Sequence, residues 1–276
     1  PGTGGLTRVT DKRKVRRDRA DVFCAMEEGV KGQRARDWRL VDELVSNATF
    51  DQSVLARAKA FAAESKRKVD APGVALTPLQ RRFDGPDSIV YSTVSVSIDR
   101  ATGIATVEIH GPTEPAPETV EALHGQGAAA WVLRCARELD DALLHLRFNE
   151  LEAGVIVFKA SGDPKLAAAH EQMLLDNADH WLAGEILLYW KRVLKRVDLT
   201  SRSLVALIEP GSCFAGMLAE IAFACDRSYM AEGSFEGDNR PPAALILTAG
   251  NFGRYPMSNG LTRLQTRFLG EPDSLA

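Results

Sequence analysis

Leu204-Val205-Ala206-Leu207-Ile208-Glu209-Pro210-Gly211-Ser212-Cys213-Phe214-Ala215-Gly216 is the stretch whose reading decides the fold. Its first five residues are an unbroken apolar run of strand length, the form expected of a strand buried on both faces. Glu209-Pro210-Gly211 then turns the chain, a short helix follows from Met217 to Ala224, and a strand is expected at Arg227 to Ala231. Upstream, residues 165–197 read as a long helical region broken near Asp176-Asn177 and Gly184. Gly154 to Lys159 is a second continuous apolar strand. It follows a helix over 128–146 that carries Trp131, Cys135, Leu139, Ala142, Leu143 and Leu146 on one face. Alternating helix and strand predicts an α/β domain with right-handed crossovers.

Further out, apolar residues at 90, 94, 96 and 98 alternate as in a strand, and Ile104 to Ile109 returns as its hairpin partner across Asp99-Arg100-Ala101-Thr102-Gly103. Proline and glycine dominate residues 111–127, which read as a surface loop. Residues 1–70 read as almost wholly helical, with helices over 11–29, 35–43 and 52–68, the last carrying Leu55, Ala58, Phe61 and Ala62. Residues 71–87 read as a linker. The expected organisation is therefore a helical segment (1–70), a linker (71–87) and an α/β lobe (88–276) with a helical insert over 165–197.

Bulk numbers exclude several classes. The 276 residues are 45% hydrophobic and 26% charged, with a formal net charge of −3, so nucleic acid is not the expected partner. No run approaches the ~20 apolar residues of a membrane span, and Pro1-Gly2-Thr3-Gly4-Gly5 lacks the basic start and apolar segment of a signal peptide. Cys24, Cys135, Cys213 and Cys225 show no C-x-x-C spacing, so they read as reduced thiols of a cytoplasmic protein without zinc. A basic run, Lys12-Arg13-Lys14-Val15-Arg16-Arg17-Asp18-Arg19, offers Lys12, Arg13 and Arg16 as candidate ligands for phosphate groups; the alternative is a solvated helix face. The opening and the polar close both look cut, as though the chain were a piece of a longer one.

Two segments together carry a family resemblance. Pro1-Gly2-Thr3-Gly4-Gly5-Leu6-Thr7-Arg8, with Gly32, Ala35, Trp38 and Leu40-Val41-Asp42-Glu43 downstream, resembles the C-terminal half of a crotonase (enoyl-CoA hydratase) fold. Leu204 to Gly216, running on to Glu220 and Ala224-Cys225-Asp226, is similar to that family's strand, glycine-rich turn and helix. A late motif thus precedes an early one, and Gly-Leu-Thr-Arg occurs at both 5–8 and 260–263, which supports a duplication. The resemblance implies a crotonase-like ββα spiral lobe preceded by the helical remnant of another. With its His-Trp-rich insert (His180-Trp181, Tyr189-Trp190), the tandem plan resembles a ring-opening branch of the superfamily that serves aerobic benzoate degradation. That branch implies opening of 2,3-epoxybenzoyl-CoA with water and release of formate.

In that family, two backbone N–H groups hold the thioester oxygen as negative charge develops on it, and glutamates move protons or direct water. The implied partner is an acyl-CoA, with no cofactor beyond the coenzyme A of the substrate, and a homo-oligomer is expected. Carried over by motif, Gly216 and Met217 stand at the amide-bearing turn, Ala168 at the other donor loop and Glu220 at a catalytic glutamate. Met217 and Leu218 replace further glycines, and only Asp238 stands where a second glutamate is expected. The first lobe's own glutamates would precede Pro1. Each residue also has a structural reading: Glu220 as an exposed helix carboxylate, Ala167-Ala168-Ala169 as plain helix, Cys213 as a buried small residue, Trp181, Tyr189 and Trp190 as core or interface. Two rivals stand beside a lyase: a degenerate, non-catalytic lobe that builds a dimer or a pocket wall, and an enoyl-CoA hydratase or isomerase.

Overall fold

The computed structural model describes residue 5 and residues 8–65, 70, 72–233 and 235–275. The chain divides into two compact units, Pro1–Gly73 and Val74–Ala276.

The first unit is helical. A wide helical turn (Arg8–Lys12) precedes α1 (Arg17–Ala25), α2 (Gly32–Asp37) and α3 (Phe50–Glu64). The expected helix over 11–29 is split because Lys14 adopts a left-handed backbone (φ 55°), and the expected 35–43 helix stops early because Arg39 does the same (φ 63°). Such residues leave the helical region of φ/ψ space. The apolar residues expected to form the stripe of α3 are exposed, Phe61 at 68%. The opening Pro1-Gly2-Thr3-Gly4 with Leu6 and Thr7, and the end of the expected third helix over 66–68, lie outside the described residues.

The second unit is the expected α/β lobe. Its main sheet runs β1 (Arg82–Phe83), β2 (Ser88–Val90), β3 (Val94–Asp99), β4 (Ile104–His110), β5 (Val155–Ser161), β6 (Ser203–Ile208) and β8 (Arg227–Met230) in that spatial order. The first three pairings are antiparallel; β4, β5, β6 and β8 are parallel. A smaller parallel pair joins β7 (Phe214–Ala215) to β9 (Leu245–Ile246). Strand β1 comes from the stretch read as a linker: Arg82 pairs with Val90 and Phe83 with Ile89. Within the expected loop 111–127, Thr119 caps a short helix, α4 (Val120–Gln126).

Two long helices provide most of the core. In α5 (Trp131–Asn149) and α7 (Trp181–Asp198) the inward residues recur at helical spacing, and all six apolar residues expected on one face of α5 are buried. They pack on one sheet face only. Hence β5 buries Ile156, Phe158 and Ala160 but leaves Val157, Lys159 and Ser161 half-buried, and β6 likewise alternates. The continuous apolar runs had suggested burial on both faces; the structure corrects this to one.

The helical insert breaks once, between α6 (Pro164–Asp176) and α7, over residues 177–180. Asp163 caps α6 through the Lys165 amide (2.7 Å), and the His180 ring accepts from the Leu182 amide (3.3 Å) to start α7. Gly184 does not break α7. A Cβ there would sit 3.1 Å from the Ala178 carbonyl, so the glycine serves close packing of the helix on the preceding loop.

Trp190 anchors this layer. It is fully buried, and its indole N–H donates to the Val132 carbonyl on α5 (2.7 Å). Trp190→Ala is expected to lower stability by roughly 3–5 kcal/mol through the cavity and the orphaned carbonyl. Urea unfolding measures this, and a loss under about 1 kcal/mol would show that α7 is not part of the cooperative core.

Candidate active site

The segment after β6 is built by three glycine constraints and one thiol. Gly211 turns the chain with φ 77°, and the Ser212 hydroxyl accepts from the Glu209 amide (2.8 Å). The Cys213 amide donates to the Ala160 carbonyl (3.1 Å), which places its thiol against Gly111 and Gly162. A Cβ at Gly111 would lie 3.0 Å from the sulfur. Burial pushes the Cys213 thiol up to about 12, so it is a packing group and not a nucleophile. Strand β7 then leads into Gly216, in the left-handed region at φ 51°, and a tight turn over Gly216–Leu218 starts the short helix α8 (Ala219–Ala224).

Glu220, in the first turn of α8, is 1% exposed. It is not the exposed helix carboxylate that one reading expected. One oxygen accepts from the Asn251 side-chain amide (2.7 Å) and the other from Arg263 Nη1 (2.7 Å). Asn251 also donates to the Gly216 carbonyl (3.0 Å). Arg263, 2% exposed, spends its remaining donors on Asp198 at the end of α7 (2.9 and 2.7 Å) and on the Tyr255 carbonyl (3.0 Å). Burial raises the pKa of Glu220, with Asn251 and Arg263 opposing the shift. This is a paired structural carboxylate.

A second carboxylate fills the turn itself. Glu171, on α6, is fully buried, and a Cβ on Gly216 would collide with its Oε2. A Cβ on Gly250 would come within 2.6 Å of its Oε1. The Thr248 hydroxyl donates to Oε2 (2.5 Å), and Oε1 meets no partner of hydrogen-bonding geometry. The Tyr255 hydroxyl, buried nearby, also lacks one. Burial raises the pKa of Glu171; the Thr248 hydroxyl opposes the shift, and Glu220 adds to it. Glu171 thus sits against Gly216, in the turn expected to hold a thioester oxygen. The space above Gly216 is occupied.

Ala168 lies in the second turn of α6, where an amide is committed to the helix ladder, so it does not form a donor loop. In the N-terminal unit, Arg13 donates to the Arg39 carbonyl (3.0 Å) and to Asp42 (3.1 Å), and Arg16 grips Asp18 through two 2.6 Å bonds. That contact holds the Asp18 carboxyl at about 2. Lys12 is exposed. Two of these three cations are therefore already neutralised. Asp238 is held by Arg240 (2.7 Å).

The histidine rings are also engaged. His110 sits between the Ser95 and Ser161 hydroxyls (3.2 Å each), and His170 meets the Glu114 carbonyl (3.0 Å). Among the described residues no group of His, Cys, Asp and Glu is placed to hold a metal, and no helix is long and apolar enough to cross a membrane.

Sequence reading missed Glu171, Asn251, Arg263, Asp198 and Tyr255. Arg263 carried a signal, since it closes the second Gly-Leu-Thr-Arg. The others are joined to the turn only through the fold.

The chain is 46% identical over all 276 residues to benzoyl-CoA-dihydrodiol lyase of Aromatoleum evansii, and it spans 49% of that protein's length. Throughout its length the chain is thus a relative of about half of that enzyme. No family model matches it. Among solved structures, the enoyl-CoA hydratase of Geobacillus kaustophilus aligns at 18% identity over 68% of this chain and 61% of its own, with a TM-score of 0.41. Pseudomonas aeruginosa DspI aligns at 17% identity over 67% and 62%, with a TM-score of 0.42.

The two carboxylates respond to pH and to crowding in ways that can be measured. A carboxyl whose native pKa is raised binds more protons when folded, so its contribution to stability fades as pH rises through the window above its ordinary value. For Glu171 that window opens at 4.5 and extends upward. Thermal unfolding of Glu171→Gln and the parent protein is expected to coincide at about pH 4 and to diverge at higher pH, the variant melting higher. A gap independent of pH would refute this account of Glu171. Gly216→Ala is expected to cost roughly 2–4 kcal/mol, from the left-handed backbone and the collision with Glu171. Glu171→Ala in the same chain should recover part of that loss, and a double-mutant cycle in denaturant reads the coupling.

Proposed function

We propose that this chain is part of a ring-opening lyase that acts on a benzoyl-CoA-derived thioester, and that its α/β lobe supports the reaction without performing it. The observation that carries the lyase reading is the 46% identity along the whole chain to benzoyl-CoA-dihydrodiol lyase. The family resemblance supplies the finer chemistry: water opens the ring of 2,3-epoxybenzoyl-CoA, the thioester carbonyl carries the developing charge, and formate leaves.

Residues 1–70 are assigned to the tail of a preceding crotonase-like lobe, and 88–276 to the second lobe. The supporting role of that second lobe rests on Glu171. An amide that stabilises a thioester enolate must point at empty space the carbonyl oxygen can enter. Here a buried carboxylate, Glu171, already fills the space beside Gly216. Glu220, which motif alone would make an acid or base, has both oxygens engaged by Asn251 and Arg263. The working amides and glutamates are assigned to the half of the relative's length that this chain does not span. No cofactor beyond the coenzyme A of the substrate is required, and the protein is assigned to the cytoplasm as a homo-oligomer.

The test is Glu220→Gln in the full-length protein. The kcat and KM for the CoA thioester are expected to stay within about twofold, while stability falls by about 1–3 kcal/mol because one partner of a buried charged contact is weakened. A fall in kcat of more than about a hundredfold in a protein with unchanged melting would make Glu220 catalytic and overturn the supporting role.

A further inference from the structure

A cleft of about 180 Å³ opens in the second unit, bounded by residues 77–80, Ser92, Ala128, Ala129, Arg134, Arg137 and Glu138. It shares no residue with the Gly216 cluster. At about 30 Å³ per water it holds more than a single ion.

Arg134 is the unusual member. Its Nε is shielded from solvent with no hydrogen-bond partner, although buried donors are almost always satisfied. Among the described residues its guanidinium forms no ion pair. One turn further on, Arg137 gives one N–H to the Thr77 carbonyl (2.7 Å) and meets no carboxylate either.

The carboxylate that could have neutralised them is already taken. Glu138 accepts from the Ser92 amide (3.3 Å) and hydroxyl (2.6 Å) and from the Thr93 amide (2.6 Å) and hydroxyl (2.5 Å). Its four acceptor sites are used to pin the β2–β3 turn. Two guanidinium groups against one carboxylate leave the cleft with a single net positive charge. Arg134 also stands in the first turns of α5, where the helix dipole disfavours a cation and favours an anion.

Pro78, Leu79, Ala128 and Ala129 give the remaining wall an apolar character. A monoanion with an apolar body matches both halves of this surface, and the two Nη groups of a guanidinium present parallel N–H donors that fit a carboxylate. We propose that this cleft binds a small organic carboxylate, its carboxyl group on Arg134 and its apolar body against Pro78, Leu79 and the two alanines. The assignment does not depend on the lyase reading.

Benzoate, butyrate and inorganic phosphate serve as probes, titrated calorimetrically into the full-length protein. Benzoate is expected to bind saturably at one site per chain. Arg134→Gln should weaken it by roughly tenfold or more, and Arg134→Lys, which keeps the charge and loses the fork, by less. Arg192→Gln, at an exposed arginine stacked on Tyr189, should leave the affinity unchanged. Should Arg134→Gln fail to fold, amide shifts of the parent protein decide: benzoate should move residues 77–80 and 128–138. Tighter binding of phosphate than of either acid would overturn the carboxylate assignment. Absence of saturable binding, an affinity indifferent to Arg134, or shifts confined to other residues would overturn the site.

Discussion

A carboxylate removed from water must find donors, and the second unit is organised around that requirement. Glu220 stands in a short helix whose neighbours Ala219, Ile221 and Ala222 are buried in the core. Asn251 and Arg263 reach its two oxygens from 31 and 43 residues further along the chain. Arg263 in turn is held by Asp198, at the end of α7. One desolvated charge thereby ties the C-terminal segment, the glycine turn and the long core helix α7 together. Removing a single partner from such a set is strongly destabilising because the others are left charged and bare.

The same physics shapes the glycine turn. Gly216 retains the left-handed backbone, and the helix still begins just after it. The space beside Gly216 holds Glu171, a carboxylate that accepts from the Thr248 hydroxyl. The electrostatic need of the turn is met from within the chain, so the turn is stable without a ligand.

Legibility followed the range of the forces involved. The hairpin over 94–110, the buried strand over 203–208 and the inward face of α5 are set by local alternation and helical spacing, and they stand where the sequence places them. Burial of β5 and β6 on one face rather than two was not legible, because a continuous apolar run does not say how many layers cover it. Nor was the end of α2: Arg39 carries no glycine-like signal, yet it takes the left-handed backbone that closes the helix, with the Leu40 amide donating to the Ala35 carbonyl (2.9 Å).

What the sequence determined by itself was the alternation of helix and strand, the position of the glycine turn and the duplicated Gly-Leu-Thr-Arg, since each is written in residues close together in the chain. What the tertiary structure alone decided was the fate of the charged groups. Glu220 became a paired strut and Glu171 the occupant of the turn, because hydrogen-bond partners for a buried charge are chosen by distance in space, and Thr248 stands 77 residues from Glu171 in the chain yet 2.5 Å away in the fold.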